Sequence, residues 1–306
     1  MRPDRDEFHA LAAEHTAVPV WAELLADLET PVSAFLKLVG DGEGFLLESV
    51  EHGERWSRYS FVGHSPVATF DLRDGVITKT GRHLSADIPL DRGMLAALDA
   101  ILAAYHAPIM PDLPPLQGGV MGFLGYDVVR EVEHLPNPAH DDRALPDAVM
   151  SIIGSLAAFD HWRQRVYLIE SVPVLHHDRA EIDRLYDEAC ERVQEAAARL
   201  AMPLAAPSLE PPVAGEVPPV VRSSMPDGMY QRAVEVAKEH ILNGDIFQVV
   251  LSQRYDIDLQ ADPFDFYRVL RQVNPSPYMY FLRQPDITIA GSSPEPRSEE
   301  HTSELQ

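Results

Sequence analysis

The 306-residue sequence reads as a mixed protein of helices and strands, α+β or α/β in class. Three observations carry that expectation. Short apolar, β-branched runs are bounded by Gly and Asp-Gly turn signals. Two long stretches place their apolar residues at helical spacing. Apolar residues make up 45% and charged residues 24% of the chain, a balance that can bury a core. The length suggests two domains or one large one.

Taken in order, a short helix is expected near Asp4–His15. Pro31–Val39 and Gly44–Val50 read as strands separated by the turn cluster Gly40-Asp41-Gly42-Glu43. Val67–Leu72 and Val76–Thr80 flank Arg73-Asp74-Gly75, and Asp-Gly between two such runs is a hairpin signal. Met94–Tyr105 is a helix whose Met94, Leu95, Leu98, Ile101, Leu102 and Tyr105 share a face, with Pro108 just beyond. Gln117–Asp127 alternates four glycines with apolar residues. It lacks the Gly-x-Gly pair of a dinucleotide loop and implies close backbone approach or bulges within a sheet.

Val149–Phe159 and Arg165–Val172 read as paired strands around Asp160–Gln164. Asp178–Leu200 is an amphipathic helix with Ile182, Leu185, Tyr186, Ala189, Val193 and Leu200 inward, and Cys190 on it as packing. Met202–Pro219 holds six prolines, so residues 202–224 read as an extended linker. A helix is expected from about Pro226 to Asn243, with Asn243-Gly244 as its stop. Ile246–Tyr255 reads as a strand, Pro263–Val273 as a helix, and Tyr278–Leu282 and Ile287–Ala290 as strands.

The formal charge is −23, which disfavours nucleic acid and anionic membrane surfaces as partners. No run approaches the ~20 apolar residues of a membrane span, and the first residues lack a signal-peptide core, so a cytoplasmic protein is expected. Cys190 is the only cysteine, which excludes an intrachain disulfide and a Cys-based metal site. His-Glu-x-x-His, the phosphate loop and the Gly-x-Ser-x-Gly elbow are missing. The thirteen histidines are scattered; His176-His177 and His161 read as solvent-facing. Glu48, Glu51 and Glu54 read by themselves as a charged loop. Composition and spacing thus support a soluble mixed fold and no particular reaction.

Several segments nevertheless resemble, in collinear order, the large subunit (component I) of anthranilate synthase, a chorismate-utilising enzyme. Leu46-Leu47-Glu48-Ser49, ten residues, then Ser60 resembles that family's tryptophan-recognition signature, continued by Arg58-Tyr59-Ser60-Phe61-Val62-Gly63. Gly118–Asp127 resembles its glycine-rich segment, and Asn243–Arg254 the opening of its chorismate-using domain. Asn274–Met279 resembles the second half of the tryptophan site, and Gly291-Ser292-Ser293-Pro294-Glu295 also matches.

The resemblance implies an α+β fold of layered antiparallel or mixed sheets with flanking helices. It divides the chain into an N-terminal region (16–172), a helix (173–201), the Pro-rich linker (202–224) and the start of a chorismate-binding domain (225–296). Residues 297–306 do not resemble the family; they read as a non-native tail with net charge −2. On this reading the second domain is incomplete, residues 226–296 alone would not hold a fold, and the chain is catalytically incomplete.

The implied reaction converts chorismate and ammonia to anthranilate and pyruvate, with ammonia supplied by a glutaminase subunit. Tryptophan biosynthesis and feedback inhibition by L-tryptophan follow. Mg²⁺ is implied as cofactor, with its ligands outside this chain. Gln248 is the implied active-site residue: related enzymes that add water carry a Lys there as general base, which ammonia does not need. The implied tryptophan ligands are Glu48 for the ammonium, Ser49 and Ser60 for hydrogen bonds, and Pro277, Tyr278 and Met279 to frame the indole. The site is expected to span both domains. Alternatives are component I of aminodeoxychorismate synthase and a non-catalytic tryptophan-binding regulator. A salicylate- or isochorismate-forming relative is disfavoured by Gln248.

Overall fold

The structure is a computed structural model that describes residues 1–49, 58–138, 140–175, 178–204, 206–213 and 219–293. His176-His177, Glu51, Glu54, Pro294, Glu295 and the tail 297–306 lie outside the described residues. The chain divides into two compact units, one of 1–208 with 267–306, the other of 209–266. The range 225–296, read as one domain, is therefore shared between both units.

The first unit begins with α1 (Arg5–Glu14), β1 (Ala17–Leu25), α2 (Pro31–Leu38), β2 (Gly44–Glu48), β3 (Tyr59–His64), β4 (Ala68–Arg73) and β5 (Val76–Gly81). It continues with α3 (Met94–Ala104), β6 (Val120–Leu124), β7 (Ala148–Ile152), β8 (Ser155–Asp160), β9 (Arg165–Pro173) and α4 (Arg179–Leu200). The second unit contains β10 (Arg222–Ser223), α5 (Met229–Leu242) and β11 (Tyr255–Asp256). After α6 (Pro263–Val273) come β12 (Tyr278–Arg283) and β13 (Thr288–Ser293), which return to the first unit.

Seven of these strands form one antiparallel sheet in the order β1-β9-β8-β3-β2-β12-β13, and four form a second in the order β5-β4-β7-β6. Strand side chains alternate between faces, and the large sheet uses both. Trp21, Phe45, Leu156, Tyr167, Ile169 and Leu282 point to the small sheet and meet Met121 and Phe123 of β6. On the opposite face, Val18, Val20 and Val172 pack under Phe8 of α1 and Tyr186 and Ala189 of α4. The small sheet turns Phe70, Leu72, Ala148 and Ile152 outward onto Met94, Ala97 and Ile101 of α3. Layered antiparallel sheets flanked by helices are thus observed, as the α+β reading expects.

Asp74 and Gly75 both take positive φ (49° and 75°), the mirror-image turn that matches strand twist and closes the β4–β5 hairpin. The glycine-rich segment becomes β6. A Cβ at Gly122 would stand 1.9 Å from the Val149 carbonyl oxygen, so the close approach expected there is real.

Three expectations are corrected. Pro31–Val39 is not a strand but helix α2: Thr30 and Ser33 form a reciprocal capping box and Pro31 occupies the first turn, where its missing N–H costs nothing. Val149–Phe159 is not one strand but two, because the chain turns at Ile153-Gly154 from the small sheet into the large one. Ile246–Tyr255 is not a strand; only Tyr255–Asp256 pairs, with Arg222–Ser223. Among the described residues no helix is long and apolar enough to cross a membrane.

Candidate functional site

β2 and β12 are adjacent strands, although more than 200 residues separate them in sequence. Their register pairs Glu48 with Met279, and Leu47 with Tyr280. On the other side of β2, Leu47 pairs with Phe61 of β3, so the next step sets Glu48 beside Ser60. Ser60 in turn pairs with Phe159. Residues in such a row share a face, so Met279, Glu48 and Ser60 stand on the helix-covered side of the large sheet. Continuing the β2–β12 register one residue brings Ser49 alongside Tyr278. The two implied tryptophan-site segments therefore meet. They do so within one sheet of the first unit.

Glu48 is buried, and its carboxylate is occupied by two side chains one helical turn apart on α6. Tyr267 donates its hydroxyl to Glu48 Oε2 at 2.9 Å, and Arg271 Nη2 donates to Oε1 at 2.9 Å. Arg271 Nε lies 2.7 Å from Oε2 in ion-pair contact. Burial pushes the Glu48 carboxyl pKa up, while Arg271 and the Tyr267 hydrogen bond pull against it. Burial, then the Glu48 charge, pushes the Tyr267 phenol up as well. Glu48 is the residue expected to pair with a ligand ammonium. In this structure its carboxylate is paired with Arg271.

Ser49 is different. Its Oγ is buried and has no hydrogen-bond partner among the described residues. An unsatisfied buried hydroxyl costs roughly 1–3 kcal/mol, which a ligand that bonds to it would recover. Ser60 Oγ lies 2.8 Å from His161 Nε2. Met279 is fully buried, Pro277 half-buried and Tyr278 43% exposed. Ser276 holds this segment: its Oγ accepts from the Tyr278 amide at 3.1 Å and donates to the Ser293 carbonyl at 2.6 Å. Ser292 Oγ donates to the Asn274 carbonyl at 2.8 Å.

Gln248 lies in the unit of residues 209–266, exposed and outside any strand. Sequence reasoning missed Tyr267, Arg271 and the contact of His161. The four-residue spacing of Tyr267 and Arg271 on a recognisable helix was the available signal. Among the described residues, no group of three or more His, Cys, Asp or Glu side chains is gathered to hold a metal.

Comparison with known proteins bears on the same residues. The family described as chorismate binding enzyme matches residues 45–298. Anthranilate synthase component 1 of Mycobacterium tuberculosis (strain ATCC 25618 / H37Rv) is 40% identical over 301 residues, covering 95% of this chain and 58% of that protein. The protein of the same name from Pseudomonas aeruginosa is 37% identical over 306 residues, covering 95% and 59%. The crystal structure of anthranilate synthase component I from Streptococcus pneumoniae TIGR4 superposes with a TM-score of 0.57 at 26% identity, covering 89% of this chain and 57% of that one. This chain thus spans less than three fifths of the length of these relatives. With the family's match running from the first buried residues of β2 past the end of β13, the chain belongs to the chorismate binding enzyme family.

Proposed function

We propose that this chain is part of an anthranilate synthase large subunit and carries its L-tryptophan sensing site. The overall reaction would convert chorismate and ammonia to anthranilate, pyruvate and water. A glutaminase subunit would supply the ammonia by hydrolysing glutamine. Gln248 is carried in this reading as a residue of the amination site, where an amide suffices because ammonia needs no general base. Tryptophan at the sensing site would reduce flux through the reaction, and a coupling of about 1–3 kcal/mol would give 5–150-fold regulation.

The observation that carries the reading is the buried Ser49 hydroxyl, unpartnered among the described residues, at the meeting of β2 and β12. A free amino acid brings both ammonium donors and carboxylate acceptors, so either end can satisfy that hydroxyl. The Arg271–Glu48 pair fixes the neighbouring position of β2, and Pro277, Tyr278 and Met279 supply apolar and aromatic surface. The names of the similar proteins support the same product.

The test is calorimetric titration of the chain with L-tryptophan, beside a fluorescence assay of the full-length large subunit for anthranilate from chorismate and ammonium. Tryptophan is expected to bind, and Ser49→Phe to weaken binding by roughly tenfold or more. Unchanged binding in Ser49→Phe would overturn the placement of the site. Formation of aminodeoxychorismate instead of anthranilate would overturn the assignment of product.

A further inference from the structure

We propose that His161 is a positioning residue of the tryptophan site, orienting the Ser60 hydroxyl toward the bound amino acid; this rests on the reading of the site given above. Three contacts fix the imidazole. Its backbone amide donates to the Arg58 carbonyl at 2.9 Å. Its ring lies nearly parallel to that of Phe159, with centroids 6.4 Å apart and planes at 20°. Its Nε2 meets Ser60 Oγ at 2.8 Å.

The turn that carries His161 is itself tied down. Asp160, buried at the end of β8, accepts the amides of Trp162 and Arg163 at 3.1 and 3.2 Å. Arg58 closes on Asp160 with Nη2 2.6 Å from Oδ2, and its guanidinium lies over the rings of Tyr59 and Trp162, 4.7 and 5.0 Å from their centroids. The segment joining β8 to β9 is thus held by an ion pair, two turn amides and two stacked aromatics.

A serine hydroxyl rotates freely and can donate once and accept twice. Bonding one of those positions to a fixed imidazole removes the rotation and leaves the others pointing in set directions. Ser60 is the row neighbour of Glu48, so those directions lie on the face that carries the Glu48–Arg271 pair. His161 is exposed, so its replacement should leave the fold intact.

The test is a double-mutant cycle read by tryptophan calorimetry on the 306-residue chain, with thermal midpoints confirming that each variant folds. His161→Phe keeps the ring against Phe159 and removes the nitrogen. It is expected to weaken binding about threefold to tenfold. His161→Gln, whose amide can restore a hydrogen bond, is expected to bind within about twofold of the parent chain. Ser60→Ala combined with His161→Phe should bind no worse than Ser60→Ala alone, because His161 acts through Ser60. Undiminished affinity in His161→Phe, or losses that multiply in the double variant, would overturn the proposal while leaving the tryptophan site standing. A parent chain that does not bind tryptophan overturns both.

Discussion

Residues 278–283 and 246–254 are alike as sequences and unlike as structures. Tyr-Met-Tyr-Phe-Leu-Arg and Ile-Phe-Gln-Val-Val-Leu-Ser-Gln-Arg are both rich in residues that favour strands. The first is β12, hydrogen-bonded to β2 on one side and β13 on the other, with Phe281 fully buried. The second forms no strand, and its Phe247 is 93% exposed. Helix α5 shows the same contrast, being amphipathic in sequence yet burying none of its residues. Strand propensity describes suitability for a pleated, half-buried surface. It becomes structure only where neighbouring chain takes up the backbone groups and covers a face.

That comparison can be broken or sharpened by substitution. The largest effect is expected at Phe281, whose ring meets Phe35 edge-on at 5.3 Å and Tyr267 at 5.5 Å. Phe281→Ala should cost about 3–5 kcal/mol in denaturant unfolding. Arg271→Met comes next. It leaves Glu48 buried without its counter-charge and should cost at least about 3 kcal/mol, most of it regained when Glu48→Leu is added.

His64 gives a third, pH-dependent effect on the same sheet. Burial, and then the nearby Arg199 charge, pushes its pKa down from 6.5 to about 4. The unfolded chain therefore binds the proton more readily. Stability is fully present above pH 6.5 and falls by about 1.4 kcal/mol per pH unit as the pH drops from there towards 4. His64→Gln should flatten that slope in melting curves taken across the window. Phe247→Ala is the smallest, expected within about 0.5 kcal/mol. A cost matching that of Phe281→Ala would mean that 246–254 is packed as well as β12, and the contrast would be lost.

Much of the local structure was legible because its causes are local. The Asp74-Gly75 turn, the helix Asp178–Leu200 with its inward face, and α6 each declare themselves within a few residues. The failures have non-local or competing causes. Pro31–Val39 is apolar enough for a strand, and only the Thr30–Ser33 cap tips it into a helix. The run Val149–Phe159 gives no sign that it serves two sheets, because both sheets ask for the same residues. In the candidate site, Glu48, Ser49 and Met279 were found by resemblance. The ion pair that neutralises Glu48 joins positions 223 residues apart, and no periodicity predicts that. Likewise, His161 reads as a surface histidine until β3 and β8 are set side by side.

The bend at Ile153-Gly154 lies against the link from β3 to β4. A Cβ on Gly154 would stand 2.1 Å from the Ser65 carbonyl oxygen, and the Val67 amide donates to the Ile152 carbonyl at 2.9 Å. Both covalent passages between the sheets therefore run through the same corner. The sandwich is bound like a book along one spine. That shared corner, with Gly154 packed against Ser65, is a reference point from which a displacement of either sheet by a ligand can be measured.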